Sequence, residues 1–166
     1  MGRLKVFATK HYLLIALILP IPYLESCGHS NQPQVVDSRI STESVPDLVN
    51  ATLMGELETV RRLLQTGTDP NVTYHTNTAL TYAARDGLTE IARLLIKYGA
   101  NVNWIDGEGV TPLILASFKD YIEIVQLLLE HGADVSTRDQ WGQTALDYAL
   151  RRGNDDPIAQ LLTEYL

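Results

Sequence analysis

The sequence predicts an all-α fold, a solenoid of four helix-turn-helix units joined by turn-rich finger loops. Three observations predict it. "LLIKYGANV" at positions 94–102 returns thirty-three residues later as "LLLEHGADV", and a near-copy at fixed period is the signature of a repeat architecture. Equivalent threonines at 78, 111 and 144 and equivalent glycines at 67, 99 and 132 keep that spacing, except for 32 between the first two glycines. Finally, Cys27 is the one cysteine, so no internal disulfide, structural zinc site or iron–sulfur cluster holds the chain, and packing must do so.

The repeats divide residues 46–166 into units of approximately 46–75, 76–108, 109–141 and 142–166. The first carries "DLVNATLMGELETVRRLLQTGTDPN" and the second "TALTYAARDGLTEIARLLIKYGANVN"; the third and fourth carry "TPLILASFKDYIEIVQLLLEHGADVS" and "TALDYALRRGNDDPIAQLLTEYL". Each unit reads as two short antiparallel helices. Thr78, Thr111 and Thr144 suit an N-cap, where the hydroxyl accepts a hydrogen bond from an unpaired backbone N–H. Pro112 follows at N1, where a missing N–H is harmless. In the second helix, Ile91, Leu94 and Leu95, like Ile124, Leu127 and Leu128, fall on one apolar stripe. Gly67, Gly99 and Gly132 end these helices, where a left-handed C′ residue is wanted. Ala83, Ala84, Ala116, Ser117 and Ala149 are small enough to let the first helices approach closely. No unit can bury its stripe alone, so the units stack.

"GVTPL" at 109–113, "AARDG" at 83–87, "EIVQLL" at 123–128 and "GADV" at 132–135 together resemble the ankyrin repeat over residues 46–166. The first unit lacks the opening turn and the last serves as terminal cap. Two departures point to a softer stack. Thr81, Ile114 and Asp147 replace the histidine usual after "TPL", and Asp120 stands where positions 55, 87 and 153 are glycine.

The resemblance implies a module that binds a protein partner through a concave face lined by loops and first helices, with no catalytic residue, metal or cofactor. Carried over by position, the loop tips are Tyr74 and His75, then Gly107, Glu108 and Val110, then Gln140, Trp141 and Gln143. The first helices add Arg85 and Asp86, Phe118 and Lys119, and Arg151 and Arg152. Aromatic residues and Arg are what interface hot spots favour, and neither Phe118 nor Trp141 is demanded by the repeat pattern. Trp104 is expected in the core. A monomer is expected.

Ahead of the repeats, residues 1–26 read as an address. Arg3, Lys5 and Lys10 precede an uncharged apolar run from Tyr12 to Leu24. That run is too short to span about 30 Å of hydrocarbon, and its outline is that of a secretory signal peptide. "LESCG" at 24–28 resembles the lipobox of bacterial lipoproteins. Leu24, Ser26 and Cys27 match, while Glu25 departs from the small or uncharged residue usual there. The resemblance implies cleavage before Cys27, lipidation of its sulfur, and a periplasm-facing, lipid-anchored protein of the cell envelope. Gly28 rather than Asp after the cysteine leans towards the outer membrane. Residues 28–45 are polar and aperiodic, a tether with a span of roughly 25 Å.

Little points to chemistry. The net charge of −7 repels phosphate backbones and argues against nucleic acid. His131 sits at a helix end, where a cation complements the dipole, and His75 lies in a loop without a second ligand at metal spacing. Asp155 and Asp156 precede Pro157, which is the chemistry of a helix start. Neither a phosphate cradle nor a nucleophile elbow is present. Besides plain recognition, an inhibitor or immunity protein acting on a toxin or envelope enzyme fits the same features.

Overall fold

The computed structural model describes residues 45–166; the expected signal segment, Cys27 and all but the last residue of the expected tether lie outside the described residues. Among the described residues, eight helices form four hairpins: α1 (Asp47–Leu53) with α2 (Leu57–Gln65), α3 (Ala79–Asp86) with α4 (Thr89–Lys97), α5 (Pro112–Phe118) with α6 (Ile122–Glu130), and α7 (Ala145–Leu150) with α8 (Pro157–Thr163). The first helices pack in the order α1, α3, α5, α7, and the second helices in the order α2, α4, α6, α8. Between α2 and α3 the strands β1 (Thr73–Tyr74) and β2 (Asn77–Thr78) pair antiparallel. The two later fingers form tight turns without strands.

Local chemistry sets these boundaries. The Thr78, Thr111 and Thr144 hydroxyls accept from the N–H groups of Thr81, Ile114 and Asp147. Gly67, Gly99 and Gly132 have φ of +91°, +92° and +82°, the left-handed conformation that glycine adopts without a Cβ penalty. Beyond them, the N–H groups of Thr68, Ala100 and Ala133 reach back to the carbonyls of Leu63, Leu95 and Leu128, closing each helix with the six-to-one bond of a Schellman motif.

One continuous core runs through the stack. Leu48, Leu80, Leu95, Leu113, Ile124, Leu128, Ile158 and Leu162 are fully buried, each contributing about 1.5–3 kcal/mol by leaving water. Ala83, Ala84, Ala116, Ser117 and Ala149 are buried between the first helices, as their size requires. Asparagines tie the units at the other edge. Asn71 donates to the Gly99 carbonyl and accepts from the Asn101 N–H, and Asn103 does the same with Gly132 and Asp134.

The departures from the repeat pattern are stabilised locally. The Thr81 hydroxyl bonds that of Thr78, Ile114 is buried, and Asp147 completes a capping box with Thr144. Asp120 adopts φ +66°, a left-handed conformation in which Asp is among the better-tolerated non-glycine residues. Its carboxylate meets Arg152 at 3.4 Å, a bridge from the third unit to the fourth that glycine could not make.

Trp104 corrects an expectation. It is half-buried rather than part of the core, and its indole N–H donates to the Thr76 carbonyl at 2.9 Å. The ring braces one finger against the next, because a buried indole N–H needs an acceptor that an aliphatic core lacks.

Candidate functional site

Residues three apart on successive first helices project to the same side, and the period of 33 stacks them into rows. One row is Tyr82, Leu115 and Tyr148; the next is Arg85, Phe118 and Arg151. Where these rows meet the later fingers, the third and fourth units enclose an open groove of about 660 Å³. Leu115, Ile114 and Val110 supply its apolar lining, with Phe118, Trp141 and Tyr148, and Arg151, Gln143 and Glu108 add polar groups.

The fingers are held by carboxylates. Asp139 Oδ1 accepts from the N–H groups of Trp141 and Gln143, both at 2.9 Å, and Asp106 does the same for Glu108 and Val110. The second oxygen of Asp139 accepts from the Tyr148 hydroxyl at 2.5 Å, joining the finger to α7. Burial works against the Asp139 charge. The Tyr148 hydroxyl, the two N–H groups and nearby Arg151 outweigh it and hold the carboxyl below the usual range. The same bond to Asp139, with burial, pushes the Tyr148 phenol up. Stacking of the last two fingers is close. The Gln140 N–H donates to the Glu108 carbonyl at 2.8 Å, and a Cβ on Gly109 would lie 3.1 Å from the Asp139 backbone.

Aromatic and cationic groups then follow one another along the groove. The Phe118 ring meets the Tyr148 ring edge-on at 5.5 Å. Arg151 lies 4.4 Å over Tyr148 and donates to Gln143 Oε1, while the Lys119 ammonium stands 5.6 Å from the Phe118 ring. Phe118 is 52 % exposed and Trp141 61 %, so both present apolar surface to solvent despite these contacts.

Of the nine residues expected to meet a partner, Phe118, Trp141 and Arg151 line this groove and Lys119 and Gln140 border it through the contacts above. Tyr74, His75 and Arg85 belong to the second unit and its finger. Tyr74 packs against His75 at 4.1 Å, and Arg85 is tied to Asp86 at 2.7 Å and stacked on Tyr82. Arg152 is engaged elsewhere. Its guanidinium bonds both oxygens of Asp156, at 2.6 and 3.2 Å, and the Ser117 carbonyl at 2.8 Å, so it clasps two units together. Sequence reasoning passed over Leu115, Tyr148 and Asp139. The 33-residue spacing of Tyr82, Leu115 and Tyr148, and the "DGEG" and "DQWG" turns at 106 and 139, were signals sufficient to find them.

The family of ankyrin repeats in three copies matches residues 48–139, more than half of this chain. The chain is an ankyrin-repeat protein. Its fourth hairpin, α7 and α8, continues the ankyrin stack beyond the matched residues, with the threonine cap repeated on α7 and with Ile158, Ala159 and Leu162 of α8 buried. Among similar proteins, cyclin-dependent kinase 4 inhibitor B of Bos taurus is 32 % identical over 111 residues, covering 66 % of this chain and 85 % of its own length. The Homo sapiens protein of that name is 32 % identical over 117 residues, 70 % of this chain and 85 % of its own. ARF GTPase-activating protein Git of Drosophila melanogaster is 44 % identical over 68 residues, which span 39 % of this chain and only 9 % of that protein.

Ankyrin repeats imply a protein partner. Among the described residues of this ankyrin domain, no group of three or more His, Cys, Asp or Glu is placed to hold a metal ion, and no helix is long and apolar enough to cross a membrane.

Proposed function

We propose that this protein is a non-enzymatic interaction module, exported and held at the bacterial envelope by lipid on Cys27, which grips a protein partner in the groove between its third and fourth units. The observation that carries the reading is the pair Phe118 and Trp141. Both are large and more than half exposed, and they lie in one groove with Arg151. Clustered aromatics beside an arginine are the composition of a binding hot spot. The lipobox-like "LESCG" and the polar stretch to Val45 support anchoring at the periplasmic face, of the outer membrane by the residue after Cys27, with a monomeric domain on a tether.

The test is recovery of partners from envelope fractions by the intact chain and by a Phe118→Ala, Trp141→Ala double variant. Loss of a partner with the double variant is expected; equal recovery removes this face. Mass spectrometry of the mature N-terminus reads the anchor directly. Acylated Cys27 is expected, and an unmodified Met1 would reject it.

A second reading has one observation in its favour. The relatives matched over most of their length are named as kinase inhibitors, so a repeat stack of this size acts in those proteins by name as an inhibitor. On this reading the groove blocks a toxin or an envelope enzyme. Inhibition of a captured enzyme, abolished by Trp141→Ala, separates it from recognition alone.

A further inference from the structure

We propose that the groove selects an acidic peptide segment, seating an apolar side chain between Phe118 and Trp141 and receiving a neighbouring carboxylate on Arg151 and Lys119. The inference rests on the binding reading above and adds the chemistry of the partner.

Three features point to it. First, the chain is acidic, at −7, yet two cations stand along this groove. Lys119, Phe118, Tyr148 and Arg151 form one row in which each cation faces a ring, at 5.6 and 4.4 Å, and the rings meet at 5.5 Å.

Second, neither cation makes an ion pair within 4 Å among the described residues. The carboxylates nearest Arg151 are already engaged. Asp139 accepts from two backbone N–H groups and Tyr148, and Asp147 accepts from the Thr144 N–H and hydroxyl and faces Arg138 at 3.7 Å. Asp86, which feels the Lys119 charge, is taken by Arg85. Among the described residues the one acid lining the groove, Glu108, stands on the finger.

Third, Arg151 is oriented before any partner arrives. The Tyr148 face and Gln143 Oε1, at 3.3 Å, hold its guanidinium, which keeps most of its five N–H donors for a carboxylate. Neighbouring apolar surface supplies the area, and the cations supply selectivity against neutral or basic segments.

The experiment measures binding of three dye-labelled peptides to the full chain by fluorescence anisotropy. All share a central Leu-Phe pair, flanked by Asp and Glu, by Asn and Gln, or by Lys. The acidic peptide is expected to bind about tenfold more tightly than the neutral one in low salt, as expected of exposed charge pairs. High salt should erase that preference, and Lys119→Gln with Arg151→Gln should erase it too. Lys119→Gln alone, at an exposed position without an ion pair among the described residues, should remove part of it and serves as the variant whose folding is not in question. If the neutral or basic peptide binds as well as the acidic one, and Phe118→Ala, Trp141→Ala still abolishes binding, the acidic preference is refuted while the groove stands. Failure of all three peptides to bind would overturn the acidic-peptide proposal and the groove reading together.

Discussion

Replacing Arg152 by alanine tests how the last unit is held. The guanidinium is 28 % exposed and the Asp156 carboxylate 5 %, so the pair is shielded from most solvent screening. Alanine removes two bonds to Asp156 and the 2.8 Å bond to the Ser117 carbonyl. Asp156 retains the N–H groups of Ile158 and Ala159 at 2.9 and 3.0 Å, which prevents a fully orphaned charge. A hydrogen bond to a charged group contributes roughly 1.5–3 kcal/mol, and the contact with exposed Asp120 adds little. The expected loss is about 2–3 kcal/mol, or a fall in Tm of roughly 10 °C for a domain of this size. Urea melts of the single variants and of an Arg152→Ala, Asp156→Asn double variant give the coupling by difference. The bond from Arg152, against burial, holds the Asp156 carboxyl below the usual range. A depressed pKa stabilises the fold above the unfolded value of about 4, and the gain is lost as pH falls through the folded value. The cost of Arg152→Ala should therefore shrink in acid. A loss under about 0.5 kcal/mol at neutral pH, the size of an ordinary surface substitution, would refute the clasp and return Arg152 to the binding face.

Two further predictions concern the turns. Gly87→Ala should cost more than Gly99→Ala: both glycines have positive φ, but a Cβ on Gly87 meets the Tyr121 ring at 2.8 Å and one on Gly99 meets nothing within 4 Å. Strain alone gives about 1 kcal/mol and overpacking about 1–3 more, so equal denaturation midpoints would show that Tyr121 moves aside. Asp139 is held below the usual carboxylate range by its hydrogen bonds in spite of burial, so the last finger should be firm at neutral pH and loosen as pH falls through the folded pKa. Hydrogen exchange of the Trp141 and Gln143 amides should accelerate in acid beyond the rest of the domain, and Asp139→Asn should show that acceleration at neutral pH already; amides of the wild-type finger that stay as slow as the core in acid would overturn it.

How far the structure was legible in the sequence depended on the range of the interaction. Caps at Thr78, Thr111 and Thr144 and stops at Gly67, Gly99 and Gly132 are decided within one helical turn, and the structure places all of them as the spacing predicts. The groove was partly legible. Phe118 and Trp141 stood out as residues the repeat does not require and Arg151 was carried over by position, but Leu115 and Tyr148 were hidden because apolar residues in a first helix read as core. Arg152 was assigned with Arg151 to the exposed side of the first helix, but both lie just past the end of α7, where the side chain of Arg152 reaches Asp156 instead. Trp104 was placed in the core from its slot after "NVN", although its indole N–H needed an acceptor and found the Thr76 carbonyl.

By itself, the sequence determined that helical hairpins repeat and where each begins and ends, because periodicity, N-cap hydroxyls and left-handed glycines act over a few residues. It also determined that the hairpins must stack, since one apolar stripe cannot be buried alone. Only the tertiary structure decided which exposed groups share a groove and which are spent on the fold. Lys119 remains beside an apolar surface while Arg152 is drawn to Asp156, Asp120 and the Ser117 carbonyl. Such pairings join residues up to 35 positions apart, and their geometry exists only once the units have packed.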